Sequence, residues 1–186
     1  MKKNKSKKNI LKQVELLKFN SFKDHRGSFS KIYFKELFPN LKKSNTHIKE
    51  INHCYSKKRG TIRGMHFQIG KFKEDKIITC LKGKIFDVVI DLRKDSKNFL
   101  KWKSYVLSEN SNQILFIPKG FAHGYQSISN NTEILYFVSA KYSPKYERGI
   151  NPLSELLKIK WPIKNKTLSV KDKNLPMASL DFDGFK

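Results

Sequence analysis

Ile85-Phe86-Asp87-Val88-Val89-Ile90-Asp91-Leu92 decides the fold class of this 186-residue chain. In an extended strand successive side chains alternate between faces, so Phe86, Val88, Ile90 and Leu92 share one face and Ile85, Asp87, Val89 and Asp91 the other. Gly83 marks the turn into the run. The first face is wholly apolar and the second, with two carboxylates, half apolar. Asp87 and Asp91 are then either solvated surface groups or groups lining a site.

Working outward, similar β-branched and aromatic runs recur at Phe29–Phe34, His47–Asn52, Lys76–Leu81, Trp102–Leu107, Gln113–Ile117 and Glu133–Ser139. Their length and spacing predict an all-β sandwich or barrel. Only two brief helical candidates interrupt it, around residues 34–38 and 153–157. Residues 1–10 read as a basic flexible tail. Residues 11–186 show no repeat, linker or change of composition and read as one domain.

The formal net charge of +23 invites a nucleic-acid reading. Arginine, the usual groove reader and phosphate fork, accounts for only five of the 39 basic residues: Arg26, Arg59, Arg63, Arg93 and Arg148. The lysines are scattered along the whole chain, so nucleic acid is not the expected partner, although the charge would attract a small anionic substrate. Cys54 and Cys80 lack metal or disulfide spacing, no apolar leader follows the basic start, and no run reaches membrane-spanning length. A cytoplasmic protein is expected.

Two blocks carry candidate chemistry. Arg59-Gly60-Thr61-Ile62-Arg63-Gly64-Met65-His66-Phe67-Gln68 and Phe116-Ile117-Pro118-Lys119-Gly120-Phe121-Ala122-His123-Gly124-Tyr125 each set a histidine beside glycine within an apolar run. A lone histidine in such a run is ordinarily a satisfied core or surface residue. His66 gains weight from its company: Arg63, Gln68, Lys76, His123 and Tyr136 lie in or beside strands of one small barrel, which has one natural pocket. A histidine pair for metal is missing, because Gln68 occupies the partner position, and a triad of His66, His123 and a carboxylate stays open. Without metal or cofactor, this set suits proton abstraction beside a carbonyl: imidazole as base, lysine for the enolate oxygen, tyrosine to return a proton.

In order along the chain, Asp24-His25-Arg26-Gly27-Ser28-Phe29, Arg63–Gln68, Ile85–Arg93, Ile117–Gly124, Leu135-Tyr136, Tyr142-Ser143-Pro144 and Leu168–Asp172 resemble the motifs of the dTDP-4-dehydrorhamnose 3,5-epimerase family. The resemblance implies a cupin-type jelly roll with short peripheral helices. It also implies a homodimer whose N-terminal strand reaches towards the partner's site, and metal-free epimerisation at C3 and C5 of a nucleotide-diphospho-4-keto-6-deoxyhexose. On it, His66 is the base, Asp172 its support, Lys76 the enolate stabiliser, Tyr136 the acid and His123 a sugar contact. Arg26, Lys31, Asn52, Arg63, Gln68, Asp87, Tyr142, Glu147 and Lys171 fall at substrate-binding positions.

Three positions depart from the pattern. Lys31 stands where a glutamate contacts the nucleotide, Ser28 replaces an aromatic, and Phe137 replaces a lysine. The nucleotide, dTDP or CDP or another carrier, stays open, as do a monoepimerase, a 3,4-ketoisomerase and a non-catalytic cupin binding sugar nucleotide or nucleic acid. Arg63 and His66 pose a geometric question. Their odd separation would point them to opposite faces of a regular strand, so a bulge at Gly64 is expected.

Overall fold

The computed structural model describes residues 11–40, 47–183 and 185. The tail expected at residues 1–10 lies outside them. Among the described residues twelve strands run in chain order: β1 (Glu15–Lys18), β2 (Ser21–Asp24), β3 (Gly27–Ser30), β4 (Glu50–Ser56), β5 (Ile62–Gln68) and β6 (Lys76–Lys82). They continue as β7 (Lys84–Asp91), β8 (Trp102–Ser108), β9 (Gln113–Ile117), β10 (Phe121–Ser127), β11 (Thr132–Val138) and β12 (Glu147–Gly149). Two five-stranded antiparallel sheets result, ordered β1-β9-β6-β11-β4 and β12-β5-β10-β7-β8, with β2 and β3 forming a separate hairpin. This is the all-β jelly roll that the sequence implies.

Alternation within the strands builds three apolar layers. Ile85 and Val89 of β7 meet Ile78, Leu115, Ile117 and Ile134 of the other sheet between the two sheets. Phe86, Val88, Ile90 and Leu92 face outward, beneath a C-terminal cover that includes Ile150, Leu157, Trp161 and Phe185. The outer face of the first sheet, Ile77, Ile114, Phe116 and Phe137, is covered by Tyr33, Leu37 and Phe38. The centre of each sheet is therefore buried on both faces, while β4 keeps Ile51 and Tyr55 exposed on its outer side, and polar residues on the inner faces have only the barrel interior to occupy.

Phe137 belongs to the outer cluster, stacking on Tyr33 at 5.4 Å between ring centroids. Its neighbour Tyr136 points the other way, so the exchange of lysine for phenylalanine at 137 lies behind the sheet, away from the interior.

Neither helical candidate is an α-helix. Residues 35–37 make one 3-10 turn. Residues 153–157 form successive turns, because Asn151 Oδ1 accepts from the Leu153 amide and the indoles of Trp102 and Trp161 donate to the carbonyls of Leu157 and Pro152. Carbonyls used in this way are lost to a helical ladder. The α-helix α1, Val170–Lys173, lies instead where a Ser169-x-x-Asp172 capping pattern begins, with Ser169 Oγ accepting from the Asp172 amide at 3.0 Å.

Candidate active site

The expected bulge is present in β5. His66 pairs with His123 and Arg63 with Tyr125, so three residue steps on β5 oppose two on β10. The extra residue turns Arg63 and His66 to the same, inward side while Ile62, Met65 and Phe67 face outward. Gly64 carries φ of 120°, and a Cβ there would sit 2.5 Å from Gly124 Cα and 2.8 Å from the His123 carbonyl oxygen. Only glycine fits this crossing. Gly64→Ala is expected to destabilise the fold by at least about 2 kcal/mol, read as a lower urea midpoint at unchanged m-value.

The interior holds a cavity of two lobes, ≈ 300 Å³ and ≈ 430 Å³, both lined by His66, Lys76 and Tyr136. The first lobe adds Arg63, His123, Lys171 and Asp172, and the second adds Asn52, Gln68, Tyr142 and Glu147. Side chains far apart in sequence meet because β5 and β10 come from one sheet while β4, β6 and β11 come from the facing one.

His66 Nε2 lies 2.7 Å from Asp172 Oδ1. With Nε2 carrying the proton towards this carboxylate, the neutral ring keeps its lone pair on Nδ1. Burial pushes the Asp172 carboxyl up. The hydrogen bond and charge of His66, the Gly64 amide and Ser169 outweigh that, and the net shift is downward, so the group is a carboxylate at neutral pH. Across the cavity, burial first and then nearby Cys54 and carboxylates push the Tyr136 phenol up, leaving it a proton donor at neutral pH.

A second His–Asp pair lies deeper. His123 Nε2 meets Asp87 Oδ2 at 2.8 Å, and Asp87 is wholly buried. Burial pushes its carboxyl up, against the opposing pull of His123 and Lys76. Asp87 is not a solvated surface group, and it borders neither lobe itself but backs His123, which does; Asp91, by contrast, is a structural clip that takes Arg93 at 2.7 Å and the hydroxyl of Ser96.

Arg63 is held against β4. Its Nε donates to Ser56 Oγ at 3.3 Å and an Nη to the Tyr55 carbonyl at 3.0 Å, while Ser56 Oγ and Cys54 Sγ both contact the buried Tyr125 hydroxyl. At the rim, Glu147 Oε2 accepts from Lys171 Nζ at 2.6 Å and from the Tyr142 hydroxyl at 2.7 Å. Burial raises the Glu147 carboxyl, but these two partners bring it below the usual value.

Three further expected substrate contacts are placed otherwise. Arg26 caps the β2–β3 hairpin, pairs with Asp24 at 2.7 Å, is 79% exposed and does not line the cavity of its own chain. Lys31 follows β3 on the surface, also outside it. Gln68 borders the second lobe, yet its amide is committed: Oε1 accepts from the Ser143 amide at 2.7 Å, and Nε2 faces the Phe72 and Lys141 carbonyls and Glu74. That makes Gln68 a node between loops and leaves it without a free group for substrate. Conversely, Glu74, Cys54, Tyr125 and Ser169 border the site without having been singled out. Only Ser169 had a local signal, its capping pattern.

A jelly roll with a carboxylate-bonded imidazole, a phenol and an ammonium around one cavity fits the class of cupin-type isomerases. A family profile described as dTDP-4-dehydrorhamnose 3,5-epimerase matches residues 8–179. A Shigella flexneri dTDP-4-dehydrorhamnose 3,5-epimerase is 37% identical over 153 residues, covering 82% of this chain and 84% of the relative. The crystal structure of a Bacillus anthracis dTDP-4-dehydrorhamnose 3,5-epimerase with TDP and PPi bound superposes with a TM-score of 0.86 at 37% identity, covering 91% and 96% of the two chains. A 3'-monoepimerase from Streptomyces bikiniensis in complex with dTDP-quinovose gives 0.82 at 26%, covering 89% and 83%. The chain belongs to the dTDP-4-dehydrorhamnose 3,5-epimerase family.

Proposed function

We propose that this chain epimerises C3 and C5 of a dTDP-4-keto-6-deoxyhexose by proton abstraction and return. The observation that carries the reading is that His66 and Tyr136 enter one cavity from opposite sheets, with the imidazole bonded to Asp172. Hydrogens at C3 and C5 flank the C4 ketone and are acidified by it. A sugar lying between the sheets meets His66 on one face and Tyr136 on the other. A proton taken by the base and one returned by the phenol therefore enter from opposite faces, which inverts the carbon.

Each remaining group has a role in that step. Lys76, on the same sheet as Tyr136, stabilises the enolate oxygen at C4, and Asp172 stabilises the imidazolium. His123, oriented by Asp87, contacts the sugar. Arg63 and Lys171 answer the diphosphate, and Asn52, Tyr142 and Glu147 line the path of the nucleotide.

Incubation with dTDP- and CDP-4-keto-6-deoxyglucose in deuterated water tests this reading by proton NMR of the product. Two deuterons per product, at C3 and C5, are expected with the dTDP sugar. One deuteron would assign a monoepimerase, the alternative favoured by the likeness to the 3'-monoepimerase. A migrated carbonyl would assign a ketoisomerase, and no turnover a binding protein. Tyr136→Phe is expected to retain exchange at C5 or C3 while losing inversion, so deuterium appears in recovered substrate rather than in product.

Homodimerisation with exchange of the N-terminal region is part of the proposal. It is supported by the hairpin, where Phe22 and Phe29 pair directly across β2 and β3, each 62% exposed, with Arg26 at the tip. A partner's cavity would give these residues, and Lys31 after them, the substrate contacts they lack in their own chain. We also take residues 11–186 as one catalytic domain. Among the described residues no helix is long and apolar enough to cross a membrane, and Cys54 and Cys80 are free thiols, which supports cytoplasmic operation.

A further inference from the structure

The cavity contains an acidic group that the reaction above does not use. Glu74, in the loop before β6, places Oε1 3.2 Å from Lys76 Nζ, and the two side chains are only 9% and 12% exposed. A pair this sheltered gives up most of the hydration of both charges, which an attraction alone ordinarily does not recover. Its place is informative, because Glu74 and Lys76 both line the second lobe, and Lys76 lines the first as well.

The carboxylate is itself held from behind. Oε2 accepts from Gln68 Nε2 at 3.0 Å, and Gln68 is fixed by the Ser143 amide and the Lys141 carbonyl, in the loop beyond β11. Three segments, the end of β5, the loop before β6 and the loop after β11, thus converge on one carboxylate. That carboxylate holds the tip of the lysine. A lysine has four rotatable bonds and loses considerable freedom when its ammonium must stay at one point. Anchoring one N–H on Glu74 fixes that point in the folded protein and leaves two N–H groups for an oxygen in the cavity.

We propose that Glu74 is a positioning residue for Lys76, with Gln68 as its support, and that it acts on the reaction only through the lysine. The inference rests on the epimerase reading, in which Lys76 meets the oxygen that becomes negative. Uncharged Gln68 is explained by the same arrangement: its amide donates forward to Glu74 and takes a backbone donor behind, so it relays position without adding charge.

A double-mutant cycle tests this by deuterium incorporation into dTDP-4-keto-6-deoxyglucose, recorded for wild type, Glu74→Ala, Lys76→Ala and the double variant. Glu74→Ala is expected to lower kcat about tenfold, as for a misplaced reacting group, with KM within about twofold. In the Lys76→Ala background the same substitution is expected to cause no further loss. Glu74→Gln, of the same size, repeats the cycle should the alanine variant fold poorly. An equal loss in both backgrounds, or a rise in KM with kcat unchanged, would overturn the inference while leaving the epimerase reading standing. A wild-type protein that incorporates no deuterium would overturn the reading itself and the inference with it.

Discussion

His66→Ala loses deuterium incorporation at C3 and C5 by about four orders of magnitude, the upper end of what a positioned base supplies. The expectation follows from the bulge at Gly64. That bulge brings His66 to the inward side of β5 beside Arg63, and Asp172 engages Nε2 at 2.7 Å, which leaves Nδ1 as the basic nitrogen. Within the chain, His123 is bonded to Asp87 rather than Asp172, and His53 lies on the outer surface beside Glu133, so neither takes the place of His66. Substrate affinity should change only a few-fold, because Arg63 and Lys171 are untouched. Loss of turnover with retained binding, read by isothermal titration beside the NMR assay, separates a missing base from a collapsed cavity. Full turnover by this variant would end the mechanism.

Asp172→Asn is expected to follow, with a loss of about 10²–10³ in kcat, because it removes the charge that orients and stabilises the imidazolium while keeping the side chain's size. Its pH dependence has a defined sign. Burial raises the Asp172 carboxyl, but His66, the Gly64 amide and Ser169 together hold it below its ordinary value. A carboxyl depressed by folding contributes stability that is fully present above the unfolded pKa, ~3.9. That stability is lost as pH falls through the lower folded value. The wild-type melting temperature should therefore contain an acid-side decline, beginning near pH 4, that the asparagine variant lacks. Calorimetric scans of both proteins from pH 7 to pH 3 measure the difference directly. Parallel curves would show that Asp172 does not carry this linkage.

What the sequence made legible follows the strength of local signals. Ile85–Leu92 alternates without interruption, and its two faces are assigned correctly to the two clusters that bury them. β5 and β10 read less clearly because Gly64 and Gly124 interrupt the period, and those two glycines are what allow the strands to cross closely. β1 and β2 are four residues each, too short to stand out. The strand expected at His47–Asn52 is displaced to Glu50–Ser56, where it pairs along all of β11. The spacing at Leu153–Leu157 suggests a helix, but tryptophan indoles and an asparagine side chain take its carbonyls and amides.

The site divides in the same way. His66, Lys76, Tyr136, His123 and Asp172 were named in the sequence and line one lobe together. Glu74 was not, because nothing in Lys73-Glu74-Asp75-Lys76 distinguishes a buried acid from the exposed charges that fill this chain. Gln68 was read by its position two residues beyond His66. Its neighbours, the loops around residues 72 and 141–143, decide its role, and no local pattern encodes them. Arg26 lies in the hairpin turn and Lys31 just after β3, both exposed within one chain, so their substrate contacts rest on the proposed dimer.

The central claim is that base and acid approach the sugar from opposite sheets. A crystal structure with a bound dTDP-4-keto-6-deoxyhexose measures this directly. His66 Nδ1 and Tyr136 Oη are expected within about 3.5 Å of the reacting carbon, on opposite faces of the sugar ring. Lys76 Nζ is expected at hydrogen-bond distance from the C4 oxygen. A sugar with both side chains on one face, or seated away from His66, would contradict it.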